Sequence, residues 1–124
     1  GAQSGNRSGI QTGGWNTKLG DYLHKGSGAT YSPTFSRGGL AAIFTASVLQ
    51  LIGAASLLIS VEHKNEEDTT FTNLGAFANI TTVTNEVLDL SGIKEQVRFV
   101  YTITATNAWE GVLLLMTAPA WRPY

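Results

Sequence analysis

The sequence predicts an all-β protein: an antiparallel β-sandwich, jelly-roll-like, over residues 40–124, behind an extended N-terminal arm over residues 1–39. Three observations predict it. Within residues 94–106, Val97, Phe99, Tyr101, Ile103 and Ala105 alternate with Gln96, Arg98, Val100, Thr102 and Thr104. That is a period of two in β-branched and aromatic residues, the signature of a half-buried strand. Second, the charge-free run between Arg37 and Glu62 resolves in its latter half into the same alternation, Leu57, Ile59, Val61 and His63 against Ser56, Leu58, Ser60 and Glu62. Third, glycine and polar clusters punctuate the chain from residue 62 onward into runs of strand length.

Composition narrows the function. The chain of 124 residues is sized for one domain, with 43% hydrophobic and only 14% charged residues, against about 25% charged in an average domain. A surface so poor in charge implies that part of it is covered by a partner. Net charge is −1, so no whole-chain field draws the protein to nucleic acid or membrane. The balance is uneven: Arg7, Lys18, Lys25 and Arg37 against Asp21 give the first forty residues +3, leaving −4 for the rest. The absence of cysteine excludes disulfides, thiolate metal sites and cysteine nucleophiles. The first 38 residues hold no apolar stretch of the kind a secretory signal needs.

Taken in order, residues 1–14 are Gly, Ser, Gln and Asn-rich, too polar to offset their ordering entropy alone. Trp15, Leu19, Tyr22 and Leu23 follow at a spacing that would line one helical face, ended by Gly26-Ser27-Gly28. Tyr31 and Phe35 then bracket Pro33, ahead of Arg37. Either these aromatics dock on their own domain, or the arm orders on a partner, with Trp15, Tyr22, Tyr31 and Phe35 as anchors and Arg37 at the rim. The apolar run 38–61 is long enough to span a bilayer. Its hydroxyl residues, central Gly53 and lack of flanking aromatic or basic belts favour two strands bent at Gly53-Ala54.

Residues 62–69 read as a solvated turn, since the carboxylates there lack the spacing and glycine of a calcium loop. Short strands follow over 74–77, 80–83 and 86–90, with Ser91-Gly92 as a turn. Residues 112–117 are apolar on both faces, so Leu113 and Leu115 are candidates for a surface covered by another chain. The tail is expected not to continue a ladder, because Pro119 and Pro123 interrupt it. Its Trp121, Arg122 and Tyr124 are residue types enriched at interface hot spots.

No catalytic constellation surrounds His24 or His63, the only histidines. We therefore expect no enzyme, with no catalytic, cofactor-binding or metal-binding residues.

The stretch VEHKNEEDTTF at 61–71, LGAF at 74–77, QVRF at 96–99 and APAWR at 118–122 resembles small structural proteins of tailed bacteriophages, namely head decoration (cement) and minor capsid proteins. The resemblance covers residues 40–124. It implies a virion protein, assembled in the host cytoplasm, that binds the exterior of an icosahedral head and staples capsomers together. Its implied partners are itself, as a homotrimer or homodimer, and the major capsid protein, with no nucleic acid and no membrane. A tail or neck component is the alternative place in the virion. A carbohydrate-binding module stacking sugars on Trp15, Trp109 or Trp121 is the alternative class.

Overall fold

The computed structural model describes residues 22–124, which form two antiparallel sheets packed face to face. In chain order the strands are β1 (Tyr22–Lys25), β2 (Gly28–Tyr31), β3 (Phe35–Ser36), β4 (Ala41–Ile52) and β5 (Ser56–Lys64). They continue with β6 (Thr72–Ala76), β7 (Thr84–Ser91), β8 (Gln96–Thr104), β9 (Gly111–Met116) and β10 (Ala120–Arg122). Sheet one runs β1-β9-β4-β7, with β10 paired to the start of β4 beyond the end of β9. Sheet two runs β2-β8-β5-β6, with β3 prolonging the line of β2 along β8.

The pairings nest. β5 pairs β6 while β4 pairs β7; β5 also pairs β8 while β4 pairs β9; β2 pairs β8 while β1 pairs β9. The chain thus behaves as a long ribbon rolled so that partners always lie in matching sheets, which is the jelly-roll topology. The bend at Gly53 carries the chain from one sheet to the other, and its φ of 72° is the left-handed conformation that glycine adopts without steric cost. The charge-free run is accordingly two strands, β4 and β5, in different layers.

Alternation decides which side chains fill the space between the layers. Val97, Phe99, Tyr101 and Ile103 of β8 face Phe44, Ala46 and Val48 of β4 and Val112, Leu114 and Met116 of β9, all buried. Leu57, Ile59 and Val61 of β5 are completely buried beside them. Phe44 and Phe99 meet edge to face at 5.8 Å across the two sheets, a preferred aromatic geometry. Each such side chain contributes about 1.5–3 kcal/mol on full burial.

Four sequence expectations require correction. Residues 80–83 form no strand, Ile80 making only an isolated bridge to Leu57. The sandwich does not begin at residue 40: β1, β2 and β3 supply edge strands to both sheets, so the domain starts no later than Tyr22. Residues 22 and 23 are strand, not the end of a helical stripe, and Gly26, with φ of 78°, turns a corner between sheets instead of ending a helix. The tail also joins the ladder. Ala120, Trp121 and Arg122 pair with Ile43, Ala42 and Ala41, and the two prolines only bracket these three residues.

Candidate functional surface

Three connections meet at one end of the sandwich, and Glu110 ties them together. Its side chain is only 4% exposed, counted with the rest of the residue. One carboxylate oxygen accepts the Ala54 amide at 2.8 Å, and the other accepts the amides of Thr106 and Asn107 at 2.9 Å each. Its carbonyl accepts the Gly26 amide at 2.8 Å. Donation by the amides of Ala54 and Asn107, joined by Thr106, holds the carboxyl below its ordinary range despite the opposing effect of burial. Ser27 reinforces the same end, its hydroxyl donating to the Ala105 carbonyl and accepting the Ala105 amide. Trp109 projects from this fastened loop, 58% exposed.

The opposite end is tied by Arg37, whose guanidinium donates to the Ile93 carbonyl at 2.6 Å and whose amide donates to the Glu95 carbonyl. His63 is buried there and accepts the Lys94 amide at Nδ1, 3.1 Å. Burial first, then the Lys94 charge, push its pKa down. An open polar depression of about 290 Å3, lined by Ser36, Arg37, Glu66, Glu95 and Gln96, lies at this end. Among the described residues no group of three or more His, Asp or Glu is placed to hold a metal ion.

The two outer faces differ in kind. On sheet two, Arg98 lies between the rings of Tyr31 and Phe71, at 4.3 and 4.1 Å from their centroids, and pairs with Glu62 at 2.8 Å. That face satisfies its own charge. On sheet one the outward residues include Ile43, Thr45 and Ser47 of β4, Leu113 and Leu115 of β9, and Asn85, Val87 and Asp89 of β7. Ser47 lies opposite Leu115 and Thr45 opposite Val87, so the apolar and hydroxyl side chains form one continuous patch. The Arg122–Asp89 pair marks its border.

The residues singled out from sequence fall into three groups. Leu113 and Leu115 are half-buried on the patch, Arg122 borders it, and Tyr124, 81% exposed, is free beyond it. Phe35 and Trp121 instead turn inward. Phe35 packs on Phe99 at 5.4 Å, and Trp121 packs edge-on against Phe35 and Phe44 at 6.4 and 6.1 Å. They close their own core, and Trp121 offers no open stacking platform. Tyr31 is exposed on sheet two, and Arg37 is spent on the Ile93 carbonyl. Tyr22 pairs through its backbone with Leu114. Trp15 lies outside the described residues. Val87 was not singled out, although a lone valine among Asn85, Asp89 and Ser91 on one face of a strand is a signal legible in the sequence.

No family model, curated protein or solved structure matches this chain. No helix among the described residues is long and apolar enough to cross a membrane.

Proposed function

We propose that this chain is a virion structural protein, acting by surface contact as a head decoration protein on a capsid exterior. The observation that carries the reading is the outer face of sheet one, where Leu113, Leu115, Ile43 and Val87 lie on the outward side of three strands of a jelly roll, interspersed with Thr45 and Ser47. Such a face suits docking against protein better than chemistry on a small substrate, and jelly rolls recur in capsid proteins. In this reading the face meets the major capsid protein, and residues 1–21, with Trp15, Arg7 and Lys18, add a strap to a neighbour. The test is immunogold electron microscopy on particles purified from the native source, with antibodies to this chain. Label on the outside of isometric heads supports the proposal. Label on tails moves the protein to the tail or neck, and unlabelled particles of every kind overturn the virion reading.

Trp109 favours one second reading, a carbohydrate-binding module. It is an exposed indole held by a loop that Glu110 fastens. Glycan-array binding that disappears in Trp109→Ala would support that class over the first.

A further inference from the structure

Sheet edges present unpaired backbone groups, and proteins ordinarily blunt them by shortness, proline, bulges or charge. Apart from β7, the edges among the described residues are short, broken or bulged, β10 having only three residues. β1 has four residues, followed at once by the corner at Gly26. The β2–β3 edge is broken between Tyr31 and Phe35 by a segment containing Pro33. β6 has five residues and a register shift against β5 between Val61 and Glu62. β7 is the longest edge, with Glu86 and Asp89 as its charges. It runs eight residues without proline, glycine or lysine, in unbroken register with Ala41 to Val48 of β4, and no described strand pairs with its far edge.

We infer that β7 is the self-association edge of this protein, and that a second copy pairs with it antiparallel about a two-fold axis at Val87. The symmetry restricts the register. A two-fold relating antiparallel edge strands stands perpendicular to the sheet, so outward residues must oppose outward residues, and the axis must pass at a residue position. Centred on Glu86, the pairing sets carboxylate against carboxylate. Centred on Leu88, it sets Val87 against the partner's Asp89. Centred on Val87, it sets Val87 against its own copy, Asn85 against the partner's Asp89 and Glu86 against the partner's Leu88, with no like charges opposed. The amide of Asn85 can then donate to the Asp89 carboxylate, which Arg122 already neutralises on its own chain. Val87, 64% exposed in the single chain, becomes the apolar centre of the joint. Sheet one becomes continuous through both copies, with both cores on the same side and one extended outer face. The ladder supplies the hydrogen bonds and the opposed side chains supply register.

This inference is independent of where the protein works, and purified protein tests it without any particle. Wild-type protein is expected to sediment as a dimer at micromolar concentration, and Val87→Lys as a monomer with an unchanged circular dichroism spectrum. Directly opposed residues stand about 4.5–5.5 Å apart at Cβ, close to disulfide reach. Val87→Cys is therefore expected to cross-link into dimers on mild oxidation much faster than Val83→Cys, an equally exposed position outside the strand. A monomeric wild type, a dimer that survives Val87→Lys, or equal cross-linking at the two positions overturns the proposal.

Discussion

The carboxylate of Glu110 fills the space that a side chain at Gly53 would need: a Cβ there would stand 2.5 Å from it. The glycine admits the acid, and the acid then holds the next amide, that of Ala54. The bend between sheets and the loop between β8 and β9 are thus one fitted unit. Gly53→Ala meets both the left-handed backbone and the carboxylate, and is expected to lower the thermal midpoint more than Gly92→Ala, which has open space at an equally left-handed position.

Glu110 also predicts an acid limb to stability. Its pKa is lowered in the fold, so its contribution is fully present above the ordinary carboxyl value and is lost as pH falls through the lowered one. Thermal melts across acid pH are expected to show Glu110→Gln less stable than wild type near neutrality. The gap should close on acidification. A gap that is constant with pH would assign the effect to packing alone.

Phe99 is the contact centre of the aromatic core, completely buried against Phe35, Phe44 and Tyr101. Phe99→Ala is expected to cost about 3–5 kcal/mol in urea denaturation, because both transfer and cavity terms fall on a site gripped by both sheets.

Arg122→Ala is expected to cost far less, about 0–1 kcal/mol, since its pairing with Asp89 is solvent-exposed on both sides. A larger loss in denaturation would mean that the stem of Arg122 contributes packing over Ala41.

Deleting residues 1–39 removes β1, β2 and β3 and uncovers the edges of β8 and β9. That chain is expected to aggregate or unfold, whereas one beginning at Tyr22 retains the β-type circular dichroism spectrum and a cooperative melt.

The sequence was most legible where strands were long. Residues 96–104 and 56–64 carry enough alternation to fix both strand and inward face, and Val97, Phe99, Tyr101, Leu57, Ile59 and Val61 are all buried. The four-residue strands around Gly26 were illegible, because four residues hold two side chains per face and match helical spacing equally well. Trp121 misled for a different reason. Its type suits an interface, but its inward turn depends on Gly38, where a Cβ would stand 2.7 Å from the indole. That is a contact between residues 83 positions apart, invisible to local pattern. The patch on sheet one was half legible: Leu113 and Leu115 stood out in an apolar run, while Val87 needed its register against Thr45 to join them.

Strand β9 is inserted between β1 and β4, the earliest-made strands of its sheet. During synthesis, sheet one therefore has a vacant central lane until the chain has been made through Met116. Until then β4, twelve residues long and apolar, is lined on one side by β7 alone. Such late closure is slow and leaves an open edge to other nascent chains. The protein's yield in a cell should then depend on how quickly ribosomes finish the last strands and how closely neighbouring copies are being made, a form of dose sensitivity written into the order of its strands.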